Sequence, residues 1–210
     1  NGDIQPTSGD IISSGEEIGI LPQNLNKWLD KTVYDFIEKV TGVKSAREEF
    51  DYQCERLTQE ASEKTLLAYG EALERYEKFE VANFDTTIKK ALSRAALGDI
   101  DLDRRLNTFS GGQRTRIALA AVFASRYDLI LLDEPTNNLD DSGVILLEDF
   151  IDNSPASFLI VSHDRHFLRN TAERIIELTG GKGVNKYNLG YDEYIEARRE
   201  ARQAMTDRYE

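Results

Sequence analysis

Along residues 10–21 the apolar positions Ile11, Ile12, Ile18 and Ile20 flank Ser13-Ser14-Gly15-Glu16, which predicts two short strands around a turn. Pro22 closes the second strand, and Gln23 and Asn24 lead into a loop. From Asn26 to about Leu97 the period changes. Ala46, Phe50, Cys54, Leu57 and Ala61 recur at steps of three or four, and Leu66, Tyr69, Leu73, Tyr76 and Phe79 do the same. Each set falls on one helix face, so the two stripes predict a helical hairpin turning near Ala61-Ser62. After Gly98 the pattern changes again. Asp128-Leu-Ile-Leu-Leu-Asp133 is an unbroken apolar run bounded by acids, as expected of a strand buried on both faces of a parallel sheet, and Ser157-Phe-Leu-Ile-Val-Ser162 repeats it. Between them Ser142 to Asp152 reads as a helix, which makes a strand–helix–strand unit of the α/β kind. Gly180-Gly-Lys-Gly183 reads as a turn and Tyr191 to Glu210 as a polar helix rich in Glu and Arg.

These patterns run through 210 residues, of which 40% are apolar. That is enough to bury a full-sized core and to exclude wholesale disorder. The length suggests one compact domain, or one domain with an appendage. With 38 acidic and 26 basic residues the net charge is −12, which argues against a nucleic-acid binder held by bulk charge and leaves room only for a local basic patch. Between Lys44 and Glu80 there are 10 acidic and 6 basic residues, which read as the solvated outer face of the hairpin. A single cysteine, Cys54, excludes an internal disulfide and any multi-cysteine zinc or iron–sulfur site, and it fits a reducing compartment. The longest strictly apolar run, Ile117 to Ala124, is far shorter than the about 20 residues of a membrane-spanning helix. No basic-then-apolar signal segment opens the chain, so a soluble, cytoplasmic protein is expected. The chain starts at Asn1 and its one methionine is Met205, so the native translation start is expected upstream.

The strand at 128–133 runs directly into Glu134-Pro135. An apolar strand ending in Asp-Glu puts two carboxylates at the carboxyl edge of a parallel sheet, where open α/β folds bind ligands. There Asp133 could hold Mg2+ through water, and Glu134 could orient or deprotonate an attacking water. Either acid alone is equally a strand end without chemistry. Upstream stands Phe109-Ser-Gly-Gly-Gln-Arg-Thr-Arg-Ile-Ala-Leu-Ala120. Ser-Gly-Gly before an amphipathic helix gathers backbone N–H groups, a hydroxyl and the positive helix end at one point, a suitable anion receptor. Its plainer reading is an N-cap serine with a flexible turn. His163 follows the second apolar strand in Val161-Ser-His-Asp-Arg165, which places it on the same sheet edge as Glu134 and within reach of the same phosphate. A lone histidine is more often structural.

Taken together these residues resemble the ATP-binding cassette ATPases. The turn of Ser110, Gly111, Gly112 and Gln113 is similar to the family signature, with Phe109 where leucine is usual. The Asp133-Glu134 strand resembles the Walker B segment, Asn138-Leu139-Asp140 the D-loop, His163 the switch histidine and Gln23 the Q-loop glutamine. Within that superfamily the chain resembles the ABC-F group of soluble ATPases, which mostly act on the ribosome. Glu134-Pro-Thr-Asn-Asn-Leu-Asp140 is similar to their Walker B–D-loop block, with Asn138 where histidine is commoner, and Ser162-His-Asp-Arg-His-Phe-Leu168 to their switch region. Tyr187-Asn-Leu-Gly-Tyr-Asp-Glu-Tyr194 resembles the tyrosine-rich turn before their inter-domain linker, with Leu189-Gly190 in place of the usual Gly-Asn. No phosphate loop of the form G-x-x-x-x-G-K-S/T occurs. Gly181-Lys182 is followed by Gly183, and in Gly42-Val43-Lys44-Ser45 the lysine is displaced. In the family a stretch like residues 1–9 comes just after the P-loop helix, so the resemblance implies a first cassette whose opening strands and phosphate loop are absent.

The implied fold is an α/β, P-loop NTPase-like nucleotide-binding domain with a parallel sheet core and a helical subdomain, incomplete at its N-terminus. Residues 1–25 would be the remainder of the core up to the Q-loop, and residues 26–108 the helical subdomain, whose short hairpin is either a ribosome-contacting arm or simply part of that subdomain. Residues 109–186 would carry the signature, Walker B and switch histidine, and residues 187–210 the start of the linker helix. The implied parent couples ATP binding and hydrolysis to movement of two cassettes, with ATP and Mg2+ as cofactors, in translation or antibiotic protection. Glu134 and His163 would be catalytic. Gln23, Asp133, Glu134 and His163 would serve the nucleotide on this domain's own side, with Asp133 and Gln23 at the metal. Ser110, Gly111 and Gly112 would touch a nucleotide held by the partner cassette, and Gln113 and Asp140 complete the nucleotide set. The implied partners are the second cassette of the same parent and the ribosome, through rRNA and tRNA. Ribosome contact would rest on a few positioned side chains, such as Arg198, Arg199 and Arg202. Without its P-loop the chain alone is expected to be inactive. A transporter's ATPase subunit would share the signature and Walker B segments, but the Ser-His-Asp-Arg block and the charged helix after Tyr191 weigh against it. The C-terminal half of a coiled-coil DNA-repair ATPase would place a long coiled coil between Gln23 and Ser110. A binding module that had lost ATPase activity would not need Glu134 and His163.

Overall fold

The computed structural model describes residue 9 and residues 15–22, 25–179 and 183–206. The first of the two expected strands, with Ile11 and Ile12, lies outside the described residues, as does Gln23. In chain order the elements are β1 (Ile18–Ile20), α1 (Val33–Val40), α2 (Val43–Gln59), α3 (Glu63–Lys78) and α4 (Phe84–Arg94). They continue with α5 (Gly111–Ala124), β2 (Leu129–Asp133), α6 (Asp141–Asn153), β3 (Ser157–Val161), α7 (Arg165–Thr171), β4 (Ile175–Leu178), β5 (Val184–Tyr187) and α8 (Tyr191–Thr206). The architecture is α/β. β2 lies parallel between β1 and β3, and β2–α6–β3 is the expected strand–helix–strand unit. β4 and β5 form a separate antiparallel pair.

The helical hairpin turns where its stripes predict. Ser62 caps α3: its Oγ accepts the Thr65 N–H at 3.3 Å while Thr65 Oγ1 accepts the Ser62 N–H at 2.9 Å. This reciprocal cap satisfies two backbone donors and draws Thr65 into a buried position. Leu66 is left 55% exposed, despite its place in the predicted stripe. Phe50 meets Tyr69 and Tyr76 across the two helices, with ring centroids 5.7 and 4.5 Å apart. The acids between residues 44 and 80 are all exposed, as a solvated face requires.

At its base the hairpin is tied to the amino ends of two strands. Arg75 pairs with Glu17 just before β1, and Lys78 Nζ lies 2.5 Å from Asp128 Oδ2 just before β2. Tyr127 fills the space between. Its hydroxyl donates to the Val40 carbonyl at 3.0 Å, and its ring meets Phe79 edge-on at 5.5 Å. Burial pushes its phenol pKa up to about 12. Two glycines admit this ring. A Cβ on Gly19 would come 2.0 Å from Tyr127 Cδ2, and one on Gly42, whose φ is +80°, would come 2.6 Å from the hydroxyl oxygen.

α5 supplies the centre of the core. All residues from Ile117 to Ala124 are buried, because the helix packs against α1, α4 and α6. A helix apolar all round is one enclosed all round. Ile130 and Leu132 of β2 join the same core, with Leu147 and Phe150 of α6.

The sheet departs from expectation. Parallel register puts Gly19, Ile130 and Phe158 on one face together with Leu132 and Ile160, and there Ile130 and Leu132 are buried. The opposite face carries Ile18 beside Leu129, and Ile20 beside Leu131 and Leu159. On that face Ile18, Ile20, Leu159 and Val161 are exposed, Val161 to 59%. The expectation of strands buried on both faces is therefore corrected: among the described residues the helices cover one face.

α8 is docked, not free. Arg169 Nε lies 2.8 Å from Asp192 Oδ2, and Tyr194 is buried with its ring 5.0 Å from that of Tyr187. Arg198 Nε lies 2.9 Å from Glu177 Oε1. Arg198, one of the arginines expected to meet a partner, thus has a carboxylate partner within the chain. Among the described residues no helix is long and apolar enough to cross a membrane.

Candidate functional site

The carboxyl edge of β2 and β3 gathers the acidic and imidazole groups. After Asp133, the last residue of β2, the backbone turns sharply. Glu134 has φ +47° and Asn138 φ +65°. Left-handed conformation is readily taken by asparagine but costs a glutamate roughly 1–3 kcal/mol, and it persists only where the surroundings enforce it. Two contacts enforce it here. The Glu134 N–H donates to the Val161 carbonyl at 2.8 Å, and the Glu134 carboxylate accepts from His163.

His163 lies beyond the end of β3. Its Nδ1 is 2.8 Å from Glu134 Oε2, and its backbone N–H donates to the same oxygen at 3.3 Å. The imidazole is 77% exposed and the glutamate side chain 18%. The hydrogen bond to the Glu134 carboxylate, with the charge of that group, raises the histidine above its ordinary pKa. Asp133, exposed, stands on the sheet face of Val161.

The second group is the start of α5. Ser110 Oγ accepts the Gln113 N–H at 3.2 Å, and Gln113 Oε1 accepts the Ser110 N–H at 3.0 Å. Both side chains therefore close a reciprocal cap. Gly111 and Gly112 are exposed, with open space where a side chain would stand. At the positive end of this 14-residue helix the Ser110–Gln113 cap takes up the Gln113 N–H, and Gly111 and Gly112 add no side chain of their own. A cavity of about 670 Å³ runs from Gly111 and Gly112 past Leu119 to Asp133, Glu134 and Asn138. His163 stands outside its lining.

Asp140, expected in the nucleotide set, stands at the start of α6. It caps α6, accepting the Gly143 N–H at 3.1 Å, and both its oxygens accept from Arg116 of α5, at 2.9 and 2.7 Å. The Arg116 guanidinium holds the Asp140 carboxyl below the usual carboxylate range. No motif in the sequence singles out Arg116. Its signal was an arginine placed directly before the wholly apolar run Ile117 to Ala124, where a charge has to find a partner.

The structure thus brings together Glu134 with His163 and Asp140 with Arg116. Gly111, Gly112, Asp133 and Glu134 share one cavity wall, while Ser110 and Gln113 are paired with each other. Gln23 lies outside the described residues. Also among the described residues, no group of three or more His, Cys, Asp or Glu could cage a metal ion.

The family model described as ABC transporter matches residues 1–137. The chain is 35% identical over 216 residues to the tylosin resistance ATP-binding protein TlrC of Streptomyces fradiae, covering 100% of this chain and 39% of that protein. It is 33% identical over 198 residues to the energy-dependent translational throttle protein EttA of Mycobacterium tuberculosis, covering 93% of this chain and 35% of the relative. The chain therefore spans well under half the length of these relatives. Among solved structures, a chain of the complex of archaeal ribosomal stalk protein aP1 and archaeal ribosome recycling factor aABCE1 superposes with a TM-score of 0.51 at 24% identity. That match covers 88% of this chain and 29% of the other, and it bears on the fold alone.

Proposed function

The chain belongs to the ATP-binding cassette family, with ABC-F proteins as its relatives, and from that membership we propose that it is part of an ATPase coupling ATP binding and hydrolysis to movement between two cassettes. The observation that carries this reading is the Glu134–His163 pair, a carboxylate and an imidazole 2.8 Å apart at the carboxyl edge of the parallel sheet. In this reading Glu134 orients or deprotonates the water that attacks the terminal phosphate, and His163, exposed beside it, contacts the same phosphate.

In this reading Asp133 would hold Mg2+ with the nucleotide, and the family resemblance adds Gln23. With no protein cage among the described residues, the ion would take its other ligands from phosphate and water, the usual arrangement for Mg2+. Bound there, it supplies neutralisation of the phosphate charge. In this reading Ser110, Gly111 and Gly112, at the start of α5, meet a nucleotide held by a partner cassette, in which case one cassette alone is a poor enzyme. The named roles of the relatives, a translational throttle and a tylosin resistance protein, support action on the ribosome, in translation or in antibiotic protection.

The test is Glu134→Gln in the intact protein. The change removes charge at constant size, so ATP binding survives and turnover stops. Equal loss of affinity and turnover would assign Glu134 a structural role.

A further inference from the structure

Arg116 ends where three elements meet. Its Nη1 donates at 3.0 Å to the carbonyl of Ala95, the C-cap of α4. Its Nη2 shares its hydrogens among Asp140 Oδ1, Asp140 Oδ2 and Ser142 Oγ, at 2.9, 2.7 and 2.7 Å. The arginine side chain is only 19% exposed, and Asp140 is fixed from its other side by the Gly143 N–H and the Ser142 hydroxyl. A planar fork committed in two directions differs from an ordinary surface ion pair, because moving either partner breaks several hydrogen bonds together. The geometry joins two parts of the site. One is α5, whose first residues are Gly111 and Gly112. The other is the turn from Glu134 to Asp140, with its two left-handed residues.

We propose that Arg116 is a positioning residue that bridges α5 to Asp140 and so fixes the Glu134–Asp140 turn against the start of that helix. Asp140 then acts through Arg116 and not on the nucleotide. The proposal rests on the ATPase reading above. It also separates the two tasks of Asp140. Asparagine caps a helix as well as aspartate does, so Asp140→Asn keeps the α6 cap and weakens the bridge alone. Lysine in place of Arg116 keeps the charge but has no fork to span Ala95 and Asp140 at once.

The experiment compares wild type, Arg116→Ala, Arg116→Lys, Asp140→Asn and the Arg116→Ala/Asp140→Asn double variant of the intact protein. It measures ATP turnover at varied ATP, the melting temperature, and amide exchange without nucleotide at Asn137, Leu139 and Gly143, whose N–H groups hold the turn. Loss of positioning should lower kcat about ten- to a hundredfold in Arg116→Ala with KM little changed. Arg116→Lys should recover part of that loss, and the double variant should be no slower than the slower single one. The three amides should exchange faster in Arg116→Ala. Normal kcat in Arg116→Ala, losses that multiply in the double variant, or a fall in kcat matched by a fall in melting temperature would overturn the proposal. If wild type shows no turnover that Glu134→Gln abolishes, the ATPase reading fails. The exchange result then decides the bridge separately: unchanged exchange overturns it, and faster exchange confined to the turn supports it.

Discussion

His163 Nδ1 lies 2.8 Å from Glu134 Oε2, and the same oxygen accepts the His163 backbone N–H at 3.3 Å. One carboxylate oxygen therefore holds both the ring and the backbone of the residue that follows β3. This contact raises the histidine above its ordinary 6.5. The pair's contribution to stability is complete below the unfolded value and is lost as pH rises through the higher folded one. The chain has two histidines, so His166→Gln leaves one imidazole to follow by NMR. His163 should titrate above 6.5 and fall back towards it in Glu134→Gln. Titration at or below 6.5 before that substitution would show that the contact does not form in solution.

Tyr127 gives a prediction about stability. Its ring lies where a Cβ of Gly19 would be, 2.0 Å from Cδ2, and its hydroxyl is anchored on Val40. Gly19→Ala must push the ring away from Phe79, and overpacking of this kind costs about 1–3 kcal/mol. Tyr127→Phe leaves the ring in place but strands the Val40 carbonyl, a loss of about 1 kcal/mol. Urea unfolding of both variants tests the order. In a Tyr127→Ala background, Gly19→Ala should add little. A neutral Gly19→Ala in the unmodified chain would mean that β1 can move away from the ring freely.

The same residues show what a one-dimensional pattern carries. Apolar periodicity located β2, β3, α6 and the hairpin turn, because each depends on spacing along the chain. It could not tell which sheet face lacks a cover, since Leu131 and Leu132 read alike as apolar although only Leu132 is buried. Leu66 failed for a local reason: the Ser62–Thr65 cap decides which residue of the first turn points inward. In the site, the order of motifs pointed to Glu134 and His163 on one edge, and the structure adds their contact. Arg116 and Asp140 are 24 residues apart, and no local rule pairs them.

The chain contains no G-x-x-x-x-G-K-S/T sequence, the loop whose backbone N–H groups and lysine hold nucleotide phosphates. Residues 1–210 alone should therefore bind ATP weakly and turn it over immeasurably. Equilibrium binding of a fluorescent ATP analogue and a phosphate-release assay test both halves. Robust hydrolysis by these residues, abolished by Glu134→Gln, would show that phosphate binding here needs no such loop.

The last prediction concerns RNA. The net charge of −12 opposes a polyanion, and the structure adds to that opposition in the arginine-bearing helix at the end of the chain. Residues 191–210 hold 6 acids and 4 arginines, and Arg198 is already paired with Glu177 at 2.9 Å. Binding through bulk charge releases counterions, so it would fall steeply with salt. Residues 1–210 should therefore show no appreciable affinity for RNA or ribosomes near physiological salt, while the intact protein, with turnover blocked by Glu134→Gln, should sediment with ribosomes when ATP is present. Glu177→Gln offers a sharper arm of the same experiment. It frees the Arg198 charge without adding a new one, so any gain in RNA affinity on that substitution measures how much the internal pair withholds. Sedimentation over a salt series, with and without ATP, reads all three proteins together. Tight, steeply salt-dependent binding by residues 1–210 would mean that the folded chain assembles a basic surface from arginines and lysines far apart in sequence.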